Sequence, residues 1–108
     1  MSHAWLDISG QRHLVRGLHF GIGRGSDRSV VLTDPSVSRD HAQLVFGEGA
    51  WWLWDNESRN GTFCDGVRVG SPVRLKGGEL LRFGSVEARF VLAAPNPDET
   101  QRSGSGAS

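Results

Sequence analysis

With 108 residues the chain can bury one hydrophobic core without a metal or a disulfide, and it is not long enough to suggest two. Twelve basic and twelve acidic residues cancel to a formal charge of zero, which excludes wholesale attraction to nucleic acid or an anionic membrane and leaves any anion site to be local. The lone cysteine, Cys64, has no internal partner, no run is long enough to span a bilayer, and Met1 to Asp7 lack the basic and apolar regions of a signal peptide; a cytoplasmic protein is expected.

Along the chain the apolar residues repeat with period two and are interrupted by glycines, the pattern of short strands and tight turns. Leu6 and Ile8 alternate with polar neighbours, Gly10-Gln11 reads as a turn, and Leu14 and Val15 start a return strand that stops near Gly17. Leu18 to Ile22 alternates again and runs into Gly23-Arg24-Gly25-Ser26-Asp27, a loop whose glycines permit close backbone approach. Val30 and Leu32 give a short strand closed by Asp34-Pro35. The polar stretch Ser36-Val37-Ser38-Arg39-Asp40-His41 follows, and Ala42, Leu44 and Phe46 then share one strand face.

Gly47-Glu48-Gly49 turns that strand into Trp51-Trp52-Leu53-Trp54. If Trp51 and Leu53 face the core, Trp52 and Trp54 face away from it. Asp55 to Gly61 is a second polar loop, Thr62-Phe63-Cys64 a short strand, and Asp65-Gly66 the strongest hairpin signal in the chain. Segments around 67–69, 72–76, 79–84 and 86–92 complete a set of about eleven strands with no helix. The pattern predicts an all-β antiparallel sandwich over residues 1–94. Residues 95–108 contain no large apolar anchor and read as a flexible tail or linker.

Three of the loops carry the polar chemistry. Arg24 offers a planar fork of donors suited to a phosphate, and Ser38 offers a hydroxyl donor and its backbone N–H. Val37 should point inward and aim Ser38 outward. His41 can donate from one ring nitrogen and accept at the other, bracing the turn, while Asn60 can pair with a peptide bond and Gly61 can take positive φ. The competing reading of Arg24 is an ion pair with Asp27 or Asp40, and Ser38 and Asn60 could be ordinary turn formers. A hydrolase triad of Ser38, His41 and Asp34 or Asp40 has neither a nucleophile elbow nor an oxyanion hole. His3, His13, His19, His41 and Cys64 lack metal-ligand spacing, so no catalytic residue, metal or cofactor is expected.

Gly23-Arg24, Ser38-x-x-His41, and Asp55 and Ser58 leading into Asn60-Gly61-Thr62, in that order within an all-β chain, resemble a forkhead-associated (FHA) domain over about residues 4 to 93. The resemblance implies an eleven-stranded sandwich whose loops at one end bind a phosphothreonine peptide. It implies that Arg24 and Ser38 contact the phosphate, that Arg39 and Arg59 assist, and that Asn60 holds the peptide backbone. Gly23, His41 and Gly61 match architectural positions. Asp65 departs from the asparagine more usual in the family, at a place outside the pocket. The expected partner is therefore a phosphothreonine-containing protein, with no nucleic acid and no membrane. The alternative is a phosphorylation-independent interaction or oligomerisation module acting through Trp52 and Trp54, rings that neighbouring arginine stems would otherwise half-cover. A phosphorylated Thr100 in the tail would reach a neighbouring molecule's pocket in preference to its own.

Overall fold

The computed structural model describes residues 3–93. The expected tail, including Thr100, lies outside the described residues. Eleven strands form, and no helix occurs among the described residues. They are β1 (Ala4–Ile8), β2 (Gln11–Leu14), β3 (His19–Gly23), β4 (Val30–Val31), β5 (Ala42–Gly47) and β6 (Ala50–Asp55), then β7 (Thr62–Cys64), β8 (Val67–Arg68), β9 (Val73–Leu75), β10 (Leu80–Phe83) and β11 (Val86–Leu92).

Two sheets pack face to face, one ordered β2-β1-β11-β10-β7-β8 and the other β4-β3-β5-β6-β9. Period-two alternation decides which side chains enter the space between them. From the first sheet Leu6, Leu81, Phe83, Ala88 and Phe90 are buried, and from the second Ile22, Ala42, Leu44, Trp51 and Leu53 are buried. Each large aliphatic or aromatic side chain withdrawn in this way stabilises the fold by about 1.5–3 kcal/mol. No helix among the described residues is long and apolar enough to cross a membrane.

Three hairpins turn on two residues that both have positive φ: Ser9-Gly10 (51° and 80°), Glu48-Gly49 (53° and 75°) and Asp65-Gly66 (50° and 84°). Such turns match the twist of the strands they join. The first corrects the expected Gly10-Gln11 turn. Gln11 already pairs with Ile8, so the return strand starts earlier than its apolar residues suggest. At Asp65 the side chain also accepts the Leu80 N–H at 2.9 Å, so the aspartate stitches the hairpin to β10.

One pairing departs from the antiparallel expectation. β4 runs parallel to β3, with Ile22 opposite Val30 and Gly23 opposite Val31. Parallel strands usually need a long crossover. Here the strand is only two residues long, so the loop of residues 24–29 has to step back a short way. A turn between the Arg28 N–H and Gly25 C=O (3.1 Å), and a bond from the Gly21 N–H to Ser29 Oγ (2.9 Å), shape that return.

The β3–β4, β4–β5, β6–β7 and β10–β11 connections all emerge at one end of the sandwich, because β3 and β10 end there and β5 starts there opposite the end of β6. Gly23 lets two of these loops touch. A β-carbon on Gly23 would lie 2.1 Å from the Arg39 carbonyl oxygen, whereas one on Gly47 would meet nothing within 4 Å. Gly23→Ala should therefore cost at least about 1–3 kcal/mol and lower Tm by several degrees, while Gly47→Ala should leave it nearly unchanged, as thermal melts would show.

Candidate functional site

The end of β3 and the loop before β5 are tied backbone to backbone. The Arg24 N–H donates to the Ser38 C=O (2.9 Å) and the Gly25 N–H to the Arg39 C=O (3.0 Å). Val37 is buried, as its place beside Ser38 predicts, and its carbonyl accepts from Arg24 Nε at 2.9 Å. That bond fixes the guanidinium plane and leaves both Nη groups for an outside acceptor. Neither Asp27 nor Asp40 pairs with Arg24. Arg28 takes both, at 3.1 and 3.0 Å.

His41 is fully buried beneath this loop, edge-on to Phe83 at 6.0 Å between ring centroids. Its Nδ1 accepts from the Ser38 N–H at 3.0 Å, which assigns the proton to Nε2, and Nε2 donates to the Gly61 C=O at 2.9 Å. One imidazole thus joins the β4–β5 loop to the β6–β7 loop, the brace expected of it. The same bond corrects one expectation: the Ser38 N–H is occupied by His41 and is not a donor to a ligand. The Ser38 hydroxyl is different. Its oxygen accepts from the Arg59 N–H at 3.0 Å, so its proton remains to be donated outward.

Asp55 organises the third loop. Its carboxylate accepts from Ser58 Oγ (2.5 Å), Thr62 Oγ1 (2.6 Å) and the Ser58 N–H (3.2 Å), and Ser58 Oγ in turn accepts from the Gly61 N–H (3.0 Å). Burial alone would raise the Asp55 pKa, but the bonds from Ser58 and Thr62 outweigh it and the value is lowered from 3.8. Gly61 follows with φ of 90°. Asn60 Nδ2 donates to the Ser36 C=O at 2.8 Å, a second link between the loops, and keeps Oδ1 and one N–H for another partner.

These contacts frame an open cleft of about 270 Å³ lined by Arg24, Pro35, Ser36, Val37, Ser38, Arg39, Arg59 and Asn60. Every candidate contact residue named from the sequence lines it. Three linings are arginines and none is acidic. Gly23, His41 and Gly61 lie beneath the cleft and hold its walls together.

Residues 20–84 match the model of the FHA domain family. The chain belongs to the FHA domain family. It is 40% identical over 63 residues to FhaB of Mycobacterium tuberculosis, covering 58% of this chain and 41% of FhaB. The chain spans less than half the length of the curated relatives it first matches. Among solved structures it superposes on Mycobacterium tuberculosis EmbR in complex with a low-affinity phosphopeptide (TM-score 0.82, 30% identity, 87% of this chain and 25% of that one). It also superposes on a structure from a study of phosphothreonine-dependent FHA domain interactions (TM-score 0.80, 29% identity, 87% and 99%).

This FHA domain also draws in the Gly84-Ser85 turn, which sequence reasoning did not assign to the site. Asp34 accepts the N–H and hydroxyl of Ser36 (2.8 and 2.7 Å), and Ser36 Oγ accepts from the Ser85 N–H (2.8 Å). Gly84 lies under this corner, where a β-carbon would come within 2.4 Å of the Ser36 carbonyl oxygen. The Gly84-Ser85 turn is 49 residues from Ser36 in sequence, so no local signal announces the contact.

Trp52 and Trp54 lie on the face turned away from the core, as the alternation predicts, and differ in exposure. Trp52 is half-buried and donates Nε1 to the Gly47 C=O at 3.0 Å, while Trp54 is 42% exposed. Arg74 stands opposite Trp52 in register, but among the described residues the arginines over aromatic rings are Arg12 on Trp5 and Arg68 and Arg82 on Phe63.

Asp55 links the site to stability. Its folded pKa is below the ordinary 3.8, so the unfolded chain binds its proton more readily. Its contribution is complete above the unfolded value and is lost as pH falls through the folded one. Urea unfolding between pH 6 and 2.5 should show a shallower acid loss in Asp55→Asn than in the wild type, because that carboxylate no longer titrates, and the loss should not vanish, because Asp7, Asp27 and Asp34, also lowered, remain in both.

Proposed function

We propose that this FHA domain is a phosphothreonine-dependent docking module that holds a phosphorylated partner protein in a signalling or assembly complex. It acts as a binding module, not an enzyme, and works in the cytoplasm, where protein kinases and their ATP are found. The observation that carries the reading is a cleft with three arginines, no acidic lining and an outward serine hydroxyl proton. Of the two similar structures above, EmbR is in complex with a phosphopeptide and the other belongs to work on phosphothreonine-dependent FHA domain interactions, which supports the reading.

A phosphothreonine carries about −1.5 to −2 charge and three acceptor oxygens. Arg24 presents its two Nη groups to that phosphate, and the Ser38 hydroxyl donates a further bond. Arg39 and Arg59 add field strength from the rim. Asn60 pairs its remaining amide groups with the backbone of the extended peptide. Gly23, His41 and Gly61 keep the donors in place before the ligand arrives, which reduces the ordering cost of binding. Two or three charge-assisted bonds of about 1.5–3 kcal/mol each, with backbone pairing, suit micromolar affinity, near −8 kcal/mol.

Calorimetric titration of a phosphothreonine peptide and its unphosphorylated twin tests this. Wild type should bind only the phosphorylated form, and Arg24→Ala and Ser38→Ala should each weaken it by about 10-fold to 100-fold. Equal binding of the two peptides would overturn the reading. Affinity should also fall below about pH 6, as the phosphate dianion takes up a proton.

A further inference from the structure

The end of the sandwich opposite the arginine-lined cleft carries a second cleft, of about 460 Å³, where β5 turns into β6 and where β9 and β11 end. Phe46, Trp51, Leu75 and Leu92 give it an apolar lining, and Arg74 and Lys76 add two cations. Trp51 is 4% exposed and stands edge-on to Phe46 at 5.2 Å between ring centroids. Its Nε1 is buried and finds no hydrogen-bond partner among the described residues. Buried donors are nearly always answered, so this lining lacks an acceptor.

The described chain does not neutralise the two cations. Arg74 and Lys76 are exposed, and among the described residues the ion pairs are Arg12 with Asp7 and Arg28 with Asp27 and Asp40. Glu79, the acid closest to them in sequence, accepts instead from the Lys76 N–H (2.6 Å) and the Gly77 N–H (2.8 Å). Glu48, in the β5–β6 turn, forms no ion pair within the described chain either. A β-carbon on Gly77 would come 3.0 Å from Leu92 Cβ, so the glycine lets this turn lie against the end of β11. Ala93 follows, its N–H held by the His3 C=O at 2.8 Å, and residue 94 therefore starts beside the cleft.

We propose that the segment Pro95-Asn96-Pro97-Asp98-Glu99 docks on this cleft of its own chain, proline rings against Phe46 and Trp51 and the two carboxylates at Arg74 and Lys76. Reach permits it. β11 belongs to one sheet and β9, which carries Arg74, to the other, and packed sheets lie about 10 Å apart. The five residues from Ala93 to Asp98 span at most about 18 Å. Asp98 and Glu99 bring two negative charges to two cations that lack a partner. Proline fixes φ and favours the extended conformer that fits aromatic-lined grooves at low ordering cost, and the carbonyls of the same segment are acceptors of the kind Trp51 Nε1 lacks. The segment has no large apolar side chain and an exposed ion pair contributes little, so the contact depends on the high effective concentration of a tethered segment and weakens with salt.

NMR on the full 108-residue chain is the test. At low salt, nuclear Overhauser contacts should connect the Pro95 or Pro97 ring protons with the Phe46 or Trp51 rings. They should weaken at high salt and be lost in the tail variant Asp98→Asn/Glu99→Gln, whose substitutions lie outside the described fold, and the Trp51 Nε1–H signal should shift with their loss. The cleft variant Arg74→Gln/Lys76→Gln should lose them too, with thermal melts verifying that it is folded. Absence of these contacts in the wild type would overturn the proposal, as would contacts that the tail variant keeps unchanged. A Trp51 signal that moves with protein concentration would assign the contact to a neighbouring molecule's segment and overturn docking within one chain.

Discussion

The two hydrogen bonds of the buried His41 ring are the constraint on which the rest of this end of the molecule depends. One nitrogen holds the Ser38 N–H and the other the Gly61 C=O, so a single rigid plane sets the distance between two loops that the chain connects only through β5 and β6. The ring and its bond to Gly61 are buried and the bond to Ser38 is partly so, and in such surroundings an unmade bond costs the desolvation of a backbone group. The surface links, from the Arg59 N–H to Ser38 Oγ and from Asn60 to the Ser36 carbonyl, refine a geometry that the imidazole has already imposed.

A neutral chain acquires a positive cleft by placing its acids rather than by adding bases. Arg28 takes Asp27 and Asp40 away from Arg24, and Asp34 and Asp55 accept from serine and threonine hydroxyls and backbone N–H groups. The same carboxylates shape the loops that carry the arginines. Structure and field therefore come from one set of contacts, and a change to any of these acids alters both.

Much of the fold could be read from period and punctuation. Alternation in Leu6-Ile8, Ala42-Leu44 and Trp51-Leu53 places the core faces correctly, because a strand with one buried face has no other register available. Asp65-Gly66 gives its hairpin for the same local reason. Apolar periodicity does not show the start of β2, since Gln11, Arg12 and His13 are polar residues recruited by pairing with β1. Nor does it show the parallel β3–β4 contact, which depends on how one loop folds back.

At the site, the residue types Arg24, Ser38, His41 and Asn60 and their order within polar loops are properties of the sequence, and they limit the chemistry to local anion and peptide recognition. The division of labour among them is a property of the tertiary structure. Whether the Ser38 N–H or its hydroxyl faces outward, which arginine takes the acids, and that Gly84 and Ser85 belong to the neighbourhood all depend on contacts between residues far apart in the chain. Local pattern encodes which groups a segment can offer. Only packing decides which of those groups are already bonded to the protein and which remain for a partner.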